Sequence, residues 1–85
     1  MGEHPTDFVG SVEDAITSSV KERIPDALVT VSGSDRHYRI DVVSAAFAGK
    51  SLLENQRLVL SAIKHLIGGE HAPVHAVDSL TTRTP

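Results

Sequence analysis

One long helical stretch, Ser51 to Ile67, lies between two strand-like segments of this chain. In the first, Tyr38, Ile40 and Val42 alternate with Arg39 and Asp41. A period of two gives a strand one buried and one wet face. In the stretch that follows, Leu52, Leu53, Val59, Ile63, Leu66 and Ile67 recur at helical spacing, and Gly68-Gly69 marks its end. Glu70 to Pro73 is a loop, and Val74 to Leu80 reads as a strand again. A strand that returns to its sheet through a helix normally does so by a right-handed crossover, and the two strands are then parallel. Parallel strands begin at the same end of a sheet. His37 immediately precedes the first of these strands and His75 opens the second. If the strands are neighbours, ~4.8 Å apart, the two imidazoles share one end of the sheet. His71, in the preceding loop, lies in reach of the same end.

The remaining elements are simpler to read. Val12, Ile16, Val20 and Ile24 recur every fourth residue with Ala15 alongside, the apolar stripe of an amphipathic helix. Ser11 is placed to cap it, Asp14 favours the positive end of its dipole, and Pro25 stops it. Leu28 to Val31 is β-branched and strand-like, and Gly33-Ser34-Asp35 forms a turn, so this strand and the next make an antiparallel hairpin. Ser44 to Lys50 is a short irregular or helical corner anchored by Phe47. The order is α-β-β-α-α-β. It predicts one small α/β (α+β) domain over residues 11–85, with a flexible tail over 1–10 and a three-stranded mixed sheet covered by helices on one face. Val12, Ile16, Val20, Val31, Ile40, Val42, Phe47, Leu53, Val59, Ile63 and Val77 are its expected core.

Composition narrows the chemistry. A chain of 85 residues supports one domain with a thin core. It has no cysteine, so it has neither a disulfide nor a thiolate for metal or substrate. No Gly-x-Ser-x-Gly turn and no convincing acid pair is present, and a non-catalytic role is expected. Residues 1–34 carry six acids and two bases, residues 35–85 five acids and six bases, for a net charge of −3. Neither half has the basic excess that draws a protein strongly to phosphates. The N-terminus lacks the basic start and apolar run of a secretory signal, and no apolar run approaches the ~20 residues that span a bilayer. The default expectation is a cytoplasmic chain, monomeric or weakly dimeric.

Two imidazoles at one sheet end suit iron, zinc or copper. The alternative is that His75 caps the sheet edge by hydrogen bonding and His37 is a solvated turn residue. A resemblance bears on this choice. Val42-Val43-Ser44 at a strand end, the turn Phe47-Ala48-Gly49, the helical Arg57-Leu58-Val59 and the strand opening His75-Ala76 follow one another in register. This combination, over roughly residues 28 to 85, resembles the BolA-like family. The resemblance implies that His75 is a ligand to a [2Fe-2S] cluster shared with a monothiol glutaredoxin. It also implies a second ligand from the loop before the second strand, where His37 is the candidate. The thiolates would come from the glutaredoxin and from glutathione, and the chain alone would hold no stable cluster. Gln56 stands where one branch of the family has a histidine and looks like the IbaG-type branch.

A second function class also fits the element order, which resembles class II KH domains that bind single-stranded nucleic acid through a Gly-x-x-Gly loop. Lys50, Arg57 and Lys64 are spaced by seven and would form one basic stripe on a continuous helix. Such a stripe is most often a solvated face. Gly49 is followed by Lys50-Ser51-Leu52 without the second glycine, and Phe8, Tyr38 and Phe47 are the only aromatic residues. Nucleic-acid binding is therefore the secondary expectation.

Overall fold

A computed structural model describes residues 11–34, 36–67 and 72–85. Helix α1 spans Val12–Arg23, and strands β1 and β2 span Leu28–Ser34 and His37–Val43. A 3-10 turn over Ala45–Phe47 leads to helix α2, Leu52–Ile63, which a second 3-10 turn, Lys64–Leu66, extends. Strand β3 is Ala76–Arg83. The sheet order is β1-β2-β3, with β1 antiparallel and β3 parallel to the central β2. The expected architecture and the parallel crossover are both present. The proposed tail, and His71 with Gly68-Gly69, lie outside the described residues.

Local chemistry sets the helix ends. The Ser11 side chain accepts from the Asp14 N–H, and the chain leaves α1 at Ile24, whose N–H still donates to the Val20 carbonyl at 2.8 Å. Pro25 then blocks continuation. At α2 the cap is reciprocal: the Glu54 N–H donates to Ser51 Oγ at 3.1 Å, and the Ser51 N–H donates to Glu54 Oε1 at 2.9 Å. This capping box satisfies two donors that a helix start otherwise leaves open. Between them, the corner after β2 is tied down by Asp26, which accepts from Ser44 Oγ at 2.6 Å and from the Ala45 N–H at 3.0 Å. Gly49 ends the corner at φ +77°, a left-handed conformation that glycine adopts without cost.

The core forms where the two helices cover one face of the sheet. Ile16, Val20 and Ile24 from the α1 region meet Tyr38, Ile40 and Val42 of β2, Phe47 of the corner, and Val59, Ile63 and Leu66 of the α2 segment. Val12, Val31 and Val77 pack at its margin. Leu53 is a correction: it is 55% exposed, as is its neighbour Leu52 at 62%. The buried stripe of α2 runs through Asn55, Val59, Ala62 and Ile63 instead. At about 100° per residue, Leu53 points well away from that stripe and falls in line with the exposed Leu60. Val59 and Ile63 face inward as expected, and of the α2 residues expected in the core only Leu53 does not.

Three boundaries also differ from expectation. Strand β1 continues through Gly33 and Ser34, which pair with Tyr38 and His37, so the turn lies beyond them. The regular α-helix ends at Ile63, four residues before the expected end, and the segment tightens to 3-10. Strand β3 begins two residues later and ends three later than the apolar run Val74 to Leu80. Val74 is instead buried in an isolated parallel bridge to Ile67.

Candidate metal-ligand site at the strand entry

His37 is the first residue of β2, and His75 stands immediately before β3. Parallel pairing places them at the same end of the sheet, with His37 opposite Ala76. Their ring centres are 5.3 Å apart and their planes are tilted by 50°. Both residues are exposed. The close approach is enforced by backbone. The Arg36 carbonyl accepts from the N–H groups of both His75, at 2.7 Å, and Ala76, at 3.1 Å. The Arg36 side chain also donates, through Nε, to the Ala72 carbonyl at 3.1 Å. Arg36 itself has φ +68°, uncommon for a residue with a side chain. It thus holds the turn before β2 against the segment that leads into β3.

Gly33 makes room for this arrangement. It has φ +134°, and a Cβ at its position would lie 2.2 Å from the His37 carbonyl oxygen and 2.8 Å from Tyr38 Cα. Both atoms are backbone and have no rotamer by which to yield. The hairpin therefore places His37 where it does only because residue 33 lacks a side chain.

A third side chain joins the pair. Asp78 Oδ1 lies 3.1 Å from His37 Nδ1, with both side chains about half exposed, at 50% and 48%. The contact depends on an irregularity in β3. Tyr38 pairs with Val77 and Arg39 pairs with Ser79, so Asp78 is an extra residue without a partner in β2. Such a bulge shifts the alternation by one. It lets Val77 and Leu80, three positions apart, both pack against the core. Asp78 was not among the residues singled out from sequence. The signal was available: Val77 and Leu80 cannot share one face of a regular strand. Ser32, Gly33, His37, Arg39 and Asp78 line a polar depression of about 270 Å³ at this place. Among the described residues no group of three or more His, Asp or Glu converges as a metal cage. What the site offers is two imidazoles, one of them held by a carboxylate.

The other candidate residues lie elsewhere. Lys50 precedes the Ser51 cap, outside the regular helix, and its ammonium donates to the Ala46 carbonyl at 2.6 Å. Arg57 is exposed on α2 and Lys64 at its end, so the three cations do not sit on one continuous helix. Gln56 is half-buried, and its Nε2 donates to the Leu80 carbonyl at 3.5 Å, which tethers α2 to β3. The His65 ring contacts α1, with Nε2 3.3 Å from Ser19 Oγ.

Comparison with known proteins addresses the resemblance directly. The BolA-like protein family description matches residues 12–85. The chain belongs to the BolA-like family. Human BolA-like protein 1 is 37% identical over 87 positions, covering 91% of this chain and 61% of that protein. This BolA-like chain spans about three fifths of the length of the mammalian relatives it matches. The solution structure of mouse BolA1 superposes with a TM-score of 0.69 at 28% identity, over 100% of this chain and 74% of that one. A BolA homologue from Coxiella burnetii gives 0.71 at 25% identity, over 89% and 94%. The element order read from sequence is thus the BolA-like fold. No helix among the described residues is long and apolar enough to cross a membrane.

Proposed function

We propose that this BolA-like chain is a non-catalytic adaptor that pairs with a monothiol glutaredoxin and contributes imidazole ligation to a shared [2Fe-2S] cluster, in iron–sulfur trafficking or iron and stress regulation. The observation that carries the proposal is the pair His37 and His75, exposed and 5.3 Å apart at one end of the sheet. The donor chemistry fits. Imidazole replaces thiolate on one iron in histidine-ligated [2Fe-2S] centres. Two imidazoles bound to one tetrahedral ion at ~2.0–2.1 Å have ring centres about 5 Å apart. The chain has no thiolate, so the remaining ligands come from the glutaredoxin cysteine and glutathione. His75, which opens the His-Ala strand, is the principal ligand and His37 the second. Their role is to hold and release the cluster, with no covalent change in the chain itself.

The test is reconstitution with a monothiol glutaredoxin, iron, sulfide and glutathione, read by visible circular dichroism and cluster lifetime. His75→Ala is expected to change the spectrum and shorten the lifetime while leaving the fold intact, because an exposed imidazole contributes little core area. His37→Ala should act in the same direction but less strongly. His65→Ala, whose ring contacts Ser19 of α1, should match the wild type. A wild-type spectrum and lifetime for His75→Ala would remove the ligand assignment. The KH-like alternative is checked by titrating the chain with single-stranded and duplex DNA at two salt concentrations. The expected affinity is no better than non-specific binding, about 10⁻⁴–10⁻⁶ M at physiological salt.

A further inference from the structure

We infer that Asp78 is a positioning residue for His37: it fixes the ring's protonated nitrogen as Nδ1 and leaves Nε2 as the atom available to an iron. The inference rests on the reading that His37 is a cluster ligand, and it names a residue that no part of that reading uses. The two atoms in contact are His37 Nδ1 and Asp78 Oδ1, 3.1 Å apart. At neutral pH a carboxylate only accepts hydrogen bonds, so the proton in this contact belongs to Nδ1. A neutral imidazole carries one proton, and Nε2 is then the nitrogen with the free lone pair. Free histidine side chains favour the opposite tautomer, so the carboxylate reverses the intrinsic preference of the ring. It also restricts rotation about the bond that carries the ring, because only one orientation keeps the contact.

The fold supplies this carboxylate by a specific device. In a regular parallel strand Asp78 would stand opposite Arg39, and a direct ion pair between them would be the natural outcome. The bulge moves Ser79 into that place and releases Asp78 from the ladder. Asp78 and Arg39 line the same depression, yet the carboxylate pairs with the imidazole and no ion pair joins it to Arg39. The chain thus departs from regular pairing at a position in β3 whose side chain is hydrogen-bonded to a candidate ligand. A carboxylate behind a ligating imidazole is a recurrent arrangement in metal sites, where it orients the ring and raises its basicity.

Two measurements test this. The first uses the chain alone: nitrogen NMR of the His37 ring at about pH 8, above the ordinary histidine range. The wild type is expected to show a protonated Nδ1 and an unprotonated Nε2. Asp78→Ala should shift the ring towards the Nε2–H form, and Asp78→Asn, whose carbonyl oxygen still accepts, should largely keep the wild-type form. The second uses the reconstituted glutaredoxin heterocomplex, in which Asp78→Ala should shorten cluster lifetime by roughly 10-fold or more, with Asp78→Asn restoring most of it. Amide spectra of both variants report whether the fold is kept. An Asp78→Ala ring that stays protonated at Nδ1 overturns the inference. So does a heterocomplex that responds to His37→Ala but is indifferent to Asp78→Ala, and in that case the ligand reading survives. A cluster indifferent to His37→Ala itself overturns the ligand role of His37, and the role of Asp78 with it.

Discussion

At the scale of single residues, the site depends on a glycine more than on its histidines. Gly33 stands in β1 with the His37 carbonyl where its Cβ would be. Gly33→Ala introduces a methyl group 2.2 Å from that oxygen, in a backbone conformation that residues with side chains rarely adopt. Strain at such positions costs about 1–3 kcal/mol, and the clash adds to it. The expected outcome is a clearly lowered urea midpoint together with amide shifts concentrated around residues 33–38. A midpoint equal to the wild type would mean that the hairpin relaxes without penalty. His37→Ala, by contrast, removes an exposed side chain and should leave the midpoint nearly unchanged. The two substitutions separate the residue that builds the site from the residue that occupies it.

At the scale of elements, α2 illustrates how one helix serves several purposes. Its capping box fixes where it begins, its buried stripe packs on the sheet, and Gln56 reaches across to β3. Loss of a capping side chain costs about 0.5–2 kcal/mol. Ser51→Ala should therefore lower stability by this amount, and Ser51→Thr, which still accepts from the Glu54 N–H, should cost much less. Thermal melts of both variants check it. Strand β3 is the complementary case. Its bulge sacrifices one ladder position, but it keeps Val77 and Leu80 against the core and brings Asp78 to His37. On the outer face of the same strand, Asp41 accepts from Thr81 Oγ1 and from Arg83 Nη2, which secures the far end of the β2–β3 pair.

At the scale of the whole molecule, stability rests on a small core and on carboxylates at the seams between elements. Ile63 is fully buried. Ile63→Ala should cost about 2–5 kcal/mol, a large part of what a domain of this size has. Leu53→Ala, at an exposed position, should change the urea midpoint little, and equal losses for the two would contradict the assignment of the buried face. Acid should act through the seams. Asp26 has its carboxyl held below the usual range by the hydrogen bond from Ser44 and then by that from the Ala45 N–H. Asp41 is lowered chiefly by Thr81, and Glu54 chiefly by the Ser51 N–H. A folded-state pKa below the unfolded value gives stability that is present above the unfolded carboxylate range, near pH 4, and lost as pH falls through the folded value. The urea midpoint should therefore drop below about pH 4. Asp26→Asn should start lower at neutral pH and show a shallower drop.

Much of this arrangement is legible in the sequence because it depends on local periodicity. Alternation at Tyr38, Ile40 and Val42 identifies a strand with one buried face, and the fourfold spacing of Val12, Ile16, Val20 and Ile24 identifies a helix. A helix between two strands of one sheet normally makes them parallel, which puts His37 and His75 at one end of the sheet. What only the tertiary structure decided depends on partners distant in the chain. The Arg36 carbonyl receives two N–H groups from residues 75 and 76. The absence of a side chain at residue 33 matters because the His37 carbonyl passes there. Leu53 and Val59 are both apolar and both helical, and only the docking of α2 on the sheet exposes one and buries the other. Asp78 reads as an ordinary polar strand residue until the register of β3 against β2 sets it beside an imidazole. A periodic pattern constrains a side chain relative to its own element, whereas a bulge and a contact between strands are fixed by how two elements meet.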